Sequence, residues 1–534
     1  MNKPKTVLSQ FSYSLRDALR HLDNMRRGRQ TAPDYIHYVL DGSYPELPAP
    51  RTQWWHHLLP VKDDSLQGLS AQFDMIKQDP RVKGVVLHLR PLMMSMAHLQ
   101  TLRHLIKKLR EANKRVITWS HSYDTATYYV ACAADEIVLQ PGGGLAPLGL
   151  SREYIFLSDT LEQFGIEVES VQVTPYKASP DMFTRQNFSE EAREMMNWLT
   201  DDTYAGLISG IAEGRNISEE EAHQLVDFGP YTDLQALDAK VVDTLLHEDD
   251  LPKHLSDEDE AATLDLWENA QKTLMHPPLS HSERYVALMR VEGAIMPGKS
   301  RRPPPFESPI PVPFGTQEQA GDLSIVQAAR ALLEDEKAAA VVLFIDSPGG
   351  SATASEAMAA ALERLASKKP LVAVMGSVAA SGGYYVATPA KWIIAQPGTL
   401  TGSIGVFMMK GITEGLMEKL KLHTERITRG KNAELYTANR AFTDEEREIV
   451  ADSIQRTYDL FLQRVADSRK MSIEEADQVG GGRVWTGRQA KERGLVDQLG
   501  GLEQAFAKAR ELGGLLENAP VREVIVGKQY LPPK

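Results

Sequence analysis

The sequence predicts an α/β protein in which one strand–helix unit occurs twice, each copy having a parallel sheet covered by helices. Three observations support this prediction: self-similarity at a fixed spacing, Val- and Ile-rich runs that alternate with helical patterns, and a globular composition with 42% hydrophobic and 25% charged residues. At 534 residues the chain is too long for one ordinary core, which agrees with a duplicated architecture.

The repeat is visible as matched segments at constant spacing. VVLHLRPLMMS, which starts at Val85, aligns with VVLFIDSPGGS, which starts at Val341, at an offset of 256 (341 − 85). Further on, Val168–Leu245 aligns with Leu422–Leu499 without a gap at an offset of 254 (422 − 168). Chance does not sustain one register over a stretch of this length, so we infer a duplication.

Each copy alternates strands and helices. In the second copy the predicted strands are residues 285–291, 341–345, 371–375 and 392–395, and helical patterns follow the second and third of them. Apolar strands that alternate with helices are typical of a parallel sheet with both faces covered.

The repeat boundaries predict four segments. They are a basic amphipathic N-terminal segment at 1–33, a first repeat at 34–246, an acidic linker at 247–283 and a second repeat at 284–534. A Pro-rich stretch at 301–315 interrupts the second repeat, either as a rim or lid loop or as a tolerated insertion.

Composition excludes several function classes. A net charge of −13 argues against nucleic acid as a general partner. The single cysteine, Cys132, lies in an apolar run and is expected in the core; no disulfide, metal site or cofactor is predicted. No secretory signal or bilayer-spanning run is seen, so we expect a protein that is cytoplasmic or peripheral on the inner membrane face.

The N-terminal segment has two interpretations. Its first 30 residues carry seven Lys or Arg and two Asp, and apolar residues recur at helical spacing: Leu8, Phe11, Leu15, Leu19 and Leu22. Such a helix either lies on an anionic membrane surface or packs on the body of the protein.

The strongest chemical signal is a serine flanked by glycines. Ser381 follows an apolar strand and precedes Gly382 at the start of a helix, and Gly349–Gly350 follows the neighbouring strand. Parallel strands end at one edge of a sheet, so these groups can meet. The backbone N–H groups of Gly349, Gly350 and Gly382 would then form an oxyanion hole for acyl transfer to Ser381.

The first copy serves as an internal comparison. It has Thr125 in place of Ser381 and Met93–Met94 in place of the glycine pair, but a lysine occurs in both copies, as Lys177 and Lys431 (431 − 177 = 254). No histidine has an equally suggestive setting, and a desolvated lysine can act as the base for a serine.

Four segments of the second copy carry a family resemblance. VVLFIDSPGGSATASEAM, GSVAASGGYYVATPA, GTLTGSIGVF and RVWTGRQAKERGLVDQLGG closely resemble the bacterial signal peptide peptidase A family in its long, tandem-domain form. The resemblance covers most of residues 35–510. It implies tandem ClpP/crotonase-like domains, a homo-oligomeric ring (a tetramer), and a serine–lysine dyad that cleaves short apolar or unfolded peptides such as signal peptide remnants.

The resemblance also implies residue roles. Ser381 of the second copy would be the nucleophile, Lys177 of the first copy the base, and Ser403 the residue that orients the lysine; copy one has Pro147 at that position. Lys431 is the alternative base, because the short members carry serine and lysine on one repeat type. Two other function classes stay open, a crotonase-type acyl-CoA enzyme and a non-catalytic membrane-associated scaffold.

Overall fold

The computed structural model describes residues 16–49, 64–256, 259–280, 282–301 and 318–524. Its contacts divide the chain into two compact units. Unit 1 consists of Met1–Leu150, Thr203–Glu283 and Asn518–Pro520, and unit 2 of Ser151–Asp202, Arg284–Glu517 and Val521–Lys534.

The elements of the first half follow in chain order. Up to residue 150 they are α1 (residues 16–27), β1 (Tyr35–Gly42), α2 (Leu66–Gln78), β2 (Gly84–Leu92), α3 (Met96–Glu111), β3 (Arg115–Tyr123), α4 (Thr125–Ala131) and β4 (Glu136–Leu145). Then come α5 (Ser158–Gln163), β5 (Glu167–Gln172), α6 (Asp181–Thr184), α7 (Glu190–Arg215), α8 (Glu219–Phe228), β6 (Tyr231–Thr232), α9 (Asp233–Asp238), β7 (Thr244–Leu245), a 3₁₀ turn (Glu248–Asp250), α10 (Leu251–His254), β8 (Leu264–Leu266) and α11 (Trp267–Ala270).

The second half repeats the order with its own insertions. Its first elements are β9 (Tyr285–Glu292), β10 (Ala294–Met296), β11 (Gln319–Gly321), α12 (Asp322–Glu334), β12 (Ala338–Ser347), α13 (Ala352–Ala366), β13 (Leu371–Ala380), α14 (Gly382–Ala387) and β14 (Trp392–Ala395). The remainder are β15 (Leu400–Gly402), β16 (Phe407–Ile412), α15 (Glu414–Lys419), α16 (Asp444–Arg469), α17 (Ile473–Val479), β17 (Val484–Thr486), α18 (Gly487–Glu492), β18 (Gln498–Leu499), α19 (Leu502–Leu512) and β19 (Val521–Glu523).

Each unit is built on one mainly parallel sheet. The strand order is β6-β4-β3-β2-β1-β8 in unit 1 and β17-β15-β13-β12-β9-β19 in unit 2, with β7 beside β4 and β14 between β13 and β18. Every residue of β12 except Asp346 is buried, as expected for a strand covered on both faces. The predicted fold class and the four predicted strands of the second copy are confirmed.

Matching side-chain contacts repeat in the two units. In each unit a buried tyrosine hydroxyl donates a hydrogen bond to a backbone carbonyl. In each unit an arginine also forms an ion pair with an aspartate at equivalent positions. The tyrosine bonds are Tyr128–Val241 and Tyr384–Leu495, both 2.9 Å, and the ion pairs are Arg215–Asp243 and Arg469–Asp497, both 2.6 Å. The repeat therefore extends from sequence to packing.

The compact units depart from the predicted segments in two places. The acidic stretch after residue 246 is not a bare connection, because β8 pairs with β1 and the buried Leu251 and Leu255 pack with Trp119 of the sheet. Apolar side chains at helical spacing within the acidic run explain this packing. The second departure is Ser151–Asp202, which belongs to the first repeat in sequence and to unit 2 by its contacts.

Other expectations have simple outcomes. Cys132 is buried, as predicted. Residues 302–317, nearly all of the Pro-rich stretch, lie outside the described residues, as do Leu8, Phe11 and Leu15. Within the part of the chain that the structure describes, no helix is both long and apolar enough to cross a bilayer.

The described part of the N-terminal segment packs on unit 1. Asn24 of α1 exchanges hydrogen bonds of 3.0 and 2.8 Å with the backbone of His276, and Arg27 donates to the carbonyl of Gln271 at 2.9 Å. Leu19 and Leu22 stay 58% and 61% exposed. Packing on the protein body is thus observed for α1, and membrane contact stays a prediction.

Candidate active site

Ser381 occupies a strained turn between β13 and α14. Its φ of 54° and ψ of −119° lie in a region that residues other than glycine rarely adopt, at a cost on the order of 1–3 kcal/mol. Its N–H donates to the carbonyl of Gly402 at 2.8 Å, while its side chain makes no cap bond to the helix. The turn therefore leaves the Ser381 hydroxyl free for another partner.

The glycine pair after β12 lies directly against this turn. Gly349 has a φ of 96°, and a Cβ added to it would lie 2.8 Å from the Ser381 Cβ and 2.6 Å from the Gly382 nitrogen. Only glycine permits this approach of two backbone segments.

Hydrogen bonds decide which amides are available. Ile295 of β10 donates to the Gly349 carbonyl and accepts from Ser351 N–H, both at 2.8 Å. In a parallel bridge of this kind the intervening residue, Gly350, directs its own N–H away from the partner strand. The Gly349 N–H is already bound by Ser347 Oγ at 3.1 Å.

Two free amides meet beside Ser381. Gly382 is the first residue of α14, so its N–H has no acceptor within the helix. A Cβ added to Gly382 would lie 3.3 Å from the Gly350 nitrogen, so the two residues are close neighbours. Such a pair of amides can stabilise an oxyanion.

Lys177 is buried, with only 3% of the residue exposed. Its Nζ donates to the backbone oxygen and to the Oγ of Ser403, both at 2.8 Å. Burial lowers the pKa of Lys177 to about 7, because the ammonium form is the one that loses hydration. A substantial fraction of the amine is therefore neutral at neutral pH.

Strand pairing places Ser403 beside Ser381. Ala380 at the end of β13 is the register partner of Gly402 at the end of β15. Ser381 and Ser403 are the next residues of the two strands, which run about 4.8 Å apart. Ser403, which accepts from the lysine amine, therefore lies one strand away from the candidate nucleophile.

The lysine reaches unit 2 on the segment 151–202. β5 of this segment pairs antiparallel with β16 over Glu167–Gln172. Further along, Trp198 stacks on Trp485 with ring centroids 4.8 Å apart and donates to the carbonyl of Val484 at 2.9 Å. The strand pairing before Lys177 and the Trp198 contacts after it therefore fix the lysine backbone within unit 2.

Glycines make room for the lysine itself. A Cβ on Gly482, whose φ is 82°, would lie 2.4 Å from the backbone nitrogen of Lys177. A Cβ on Gly405 would lie 3.3 Å from the lysine Cδ.

Lys431 has a different environment from Lys177. Its side chain is 80% exposed and forms an ion pair with Glu445 at 3.0 Å. The structure therefore does not bring Lys431 into the arrangement around Ser403.

The equivalent turn in unit 1 is relaxed. Asp124 precedes α4 with a φ of −102° and caps it by accepting from the N–H of Thr127 at 2.8 Å. The Thr125 hydroxyl donates to the carbonyl of Gly149 at 3.0 Å, and Met93 is 80% exposed. This helix start has an ordinary Asp124 cap, and Thr125, the residue equivalent to Ser381, is the first residue of the helix.

Sequence reasoning missed two supporting residues in the motif DSPGGS. Asp346 accepts from the N–H of Val378 at 3.0 Å, and burial raises its pKa to about 6. Ser347 donates to the carbonyl of Gly293 at 2.6 Å while its Oγ accepts from Gly349. Both hold the backbone around the glycine pair. A polar pair at the end of an otherwise apolar strand was the signal that could have revealed them.

Comparison with known proteins identifies the family of the chain. The model of the family described as "Peptidase family S49" matches residues 108–262 and 363–516, which together make up more than half of the chain. The two matches fall on the two copies of the repeat.

Named relatives cover most of the chain. "Serine protease SPPA, chloroplastic" of Arabidopsis thaliana is 32% identical over 464 residues, 86% of this chain and 67% of the relative. "Protease 4" of Salmonella typhi is 31% identical over 85% of this chain and 73% of its own, and "Protease 4" of Haemophilus influenzae 29% identical over 91% and 80%.

A solved structure of a ClpP1 point mutant from Listeria monocytogenes matches 41% of this chain and 94% of its own at 14% identity. Its TM-score of 0.25 is too low to add to the argument. The family match and the relatives confirm the resemblance identified from the sequence. This chain belongs to peptidase family S49 and is a tandem-domain serine peptidase of the SppA type.

Proposed function

We propose that the chain is an endopeptidase in which Ser381 is the nucleophile and Lys177 the general base. The observation that carries this proposal is the buried Lys177 amine on Ser403, one strand away from the strained Ser381 turn. A serine and a desolvated lysine are a known variant of the Ser–His–Asp logic.

The proposed reaction uses only groups of unit 2. Neutral Lys177 takes the proton of the Ser381 hydroxyl as Oγ forms a bond to the peptide carbonyl carbon. The N–H groups of Gly350 and Gly382 stabilise the resulting oxyanion. The lysine ammonium then protonates the leaving nitrogen as the C–N bond breaks, and the neutral amine so restored activates the water that hydrolyses the ester.

Two supporting roles complete the proposal. Ser403 holds the lysine Nζ through both of its oxygens, so it is a positioning residue. Gly349, expected from the sequence as a third oxyanion donor, has its N–H bound to Ser347. Its proposed part is to allow the close approach of the two loops.

Family membership supports the substrate class. We infer that the substrates are short apolar or unfolded peptides such as signal peptide remnants, as the resemblance implies. We also infer a homo-oligomeric ring, a tetramer by the same resemblance; light scattering that shows a monomer would contradict it.

Replacing Ser381 with alanine should lower peptide hydrolysis at least about 10³-fold, because it removes the hydroxyl that forms the acyl-enzyme. It should also abolish labelling by a fluorophosphonate. The measurements are gel-based labelling and cleavage of a short apolar fluorogenic peptide. The matched control is Thr125→Ala at the equivalent position of the first repeat, which should behave as wild type. Labelling that survives Ser381→Ala would reopen the acyl-CoA enzyme and scaffold hypotheses.

Replacing Lys177 with methionine should reduce kcat at least about 10³-fold, since it removes the base and keeps an apolar side chain of similar length. The same change at the exposed Lys431 should leave kcat within about twofold. Thermal unfolding of both variants checks that each is folded. The reverse outcome, an active Lys177→Met and an inactive Lys431→Met, would assign the base to Lys431.

The pH profile tests the state of the lysine. Only the neutral amine can act as base, so kcat/KM should rise about tenfold per pH unit below pH 7 and level off above it. Ser403→Ala should lower the plateau without moving the inflection, because burial is the cause of the lowered pKa. A profile that falls as the pH rises through 7 would mean that the protonated lysine is the active form.

We further infer peripheral contact of α1 with the inner membrane face through its exposed Leu19 and Leu22. Sedimentation with vesicles of anionic phospholipid should bring down the wild-type chain. The double variant Leu19→Ser, Leu22→Ser should lose at least half of this binding, because the apolar contact is removed while the charges remain. Equal binding of both proteins, or none by either, would contradict the inference.

A further inference from the structure

Unit 1 contains a cluster of imidazole and carboxylate groups that the proposed reaction does not use. His37 lies on β1, His88 on the neighbouring β2, and Glu248 opens the 3₁₀ turn that follows β7. One potential ligand atom of each residue lies within 4.8 Å of the other two.

The distances within the cluster are those of ligands and not of hydrogen bonds. Glu248 Oε1 is 3.8 Å from His37 Nε2 and 3.5 Å from His88 Nδ1, both beyond the 2.7–3.2 Å of a good hydrogen bond. Two ligands at about 2.1 Å from a tetrahedral Zn²⁺ are about 3.4 Å apart. The carboxylate oxygen therefore stands at nearly the ligand–ligand spacing from each imidazole nitrogen.

Each histidine has a buried ring nitrogen that lacks a hydrogen bond. The His88 side chain is only 4% exposed, and its Nε2 and the Nε2 of His37 are buried without a hydrogen-bond partner among the described residues. The unpartnered Nε2 of His37 is the nitrogen that faces Glu248, so a metal ion held between them would give it a partner. In His88 the nitrogen near Glu248 is Nδ1, and it would offer its lone pair to the same ion.

Unit 2 provides the internal comparison. His88 aligns with Phe344 (344 − 88 = 256). His37 pairs with Val86 in β2, and the corresponding partner of Val342 in unit 2 is Leu288. The positions of unit 2 that correspond to the two histidines are thus apolar.

This comparison shows that the scaffold does not require polar residues there. Phe344 and Leu288 are buried in unit 2, where they fill the same face of the sheet with apolar side chains. Unit 1 instead has two imidazoles on this face, each with one buried nitrogen that lacks a hydrogen bond. At His37 Nε2, which faces Glu248, a bound ligand would compensate for the missing hydrogen bond.

We propose that unit 1 binds one divalent transition-metal ion, with Zn²⁺ as the best match, through His37, His88 and Glu248. Two imidazoles and one carboxylate form a donor set that zinc uses in proteins when it keeps a position open for water or another ligand. The Glu248 side chain is 44% exposed, so the cluster is accessible to solvent at this residue. The ion would tie the 3₁₀ turn after β7 to the sheet.

The test is zinc binding by the full chain purified without a histidine tag. After treatment with a chelator, equilibrium dialysis and elemental analysis should find one Zn²⁺ per wild-type chain, and Zn²⁺ should raise the thermal unfolding temperature. Glu248→Gln and His37→Gln should each weaken binding at least about tenfold and abolish the thermal shift. These changes keep the size of the side chain at the more exposed ligands, so folding does not depend on altering His88.

The matched control is Asp249→Asn, which removes the same charge from the next residue of the turn. It should bind Zn²⁺ within about twofold of wild type. His254→Gln is a second control, because His254 forms a true hydrogen bond of 2.7 Å with Glu136 and has no place in the cluster. The proposal is overturned if the wild-type chain binds no Zn²⁺, or if Asp249→Asn and Glu248→Gln weaken binding equally. The metal-site proposal does not depend on the proposed peptidase mechanism, because that mechanism uses none of the three ligands. Ser381→Ala should therefore bind Zn²⁺ as the wild type does.

Discussion

The contact between Lys177 and Ser403 is the interaction on which the rest of the site depends. Removing an ammonium group from water is costly, and burial accordingly lowers the pKa of Lys177 to about 7. The residues around Lys177 must then hold its amine in one place, in both its neutral and its protonated form. Ser403 supplies two oxygens for it, and Gly482 leaves the space that the lysine backbone occupies. Strain in the Ser381 turn is tolerated because the paired strands β13 and β15 fix both serines.

Duplication allowed the two repeats to diverge on one scaffold. Both units keep the buried tyrosine bond and the arginine–aspartate pair that hold their sheets and helices together. The strained serine turn and its glycine partners occur in unit 2, while the same turn in unit 1 has relaxed into a capped helix start. The packing contacts are therefore common to both units while the strained serine turn is not, because the core of each unit has to fold in any case.

Unit 1 has its own unusual buried groups. His37 and His88 lie where unit 2 has leucine and phenylalanine, although an apolar face would be the simpler solution for a covered sheet. Buried polar groups without partners are rare in folded proteins, so such a substitution requires a physical reason. A bound metal would provide one at His37, whose unpartnered Nε2 faces Glu248.

The sequence by itself determined the duplicated α/β fold, the four strands of the second copy and the choice of Ser381 as the candidate nucleophile. Periodicity and internal repeats can be read along the chain without knowing which distant residues meet. The sequence also singled out Lys177 and Lys431, and the family resemblance favoured Lys177, but the sequence did not show which lysine is desolvated. Only the tertiary structure buried one lysine and exposed the other, since desolvation depends on residues distant in sequence. The same is true of the Gly349 amide, which Ser347 occupies, and of the packed acidic stretch after residue 246. It is true above all of His37, His88 and Glu248, which share no sequence motif and meet only because β1, β2 and the turn after β7 fold together.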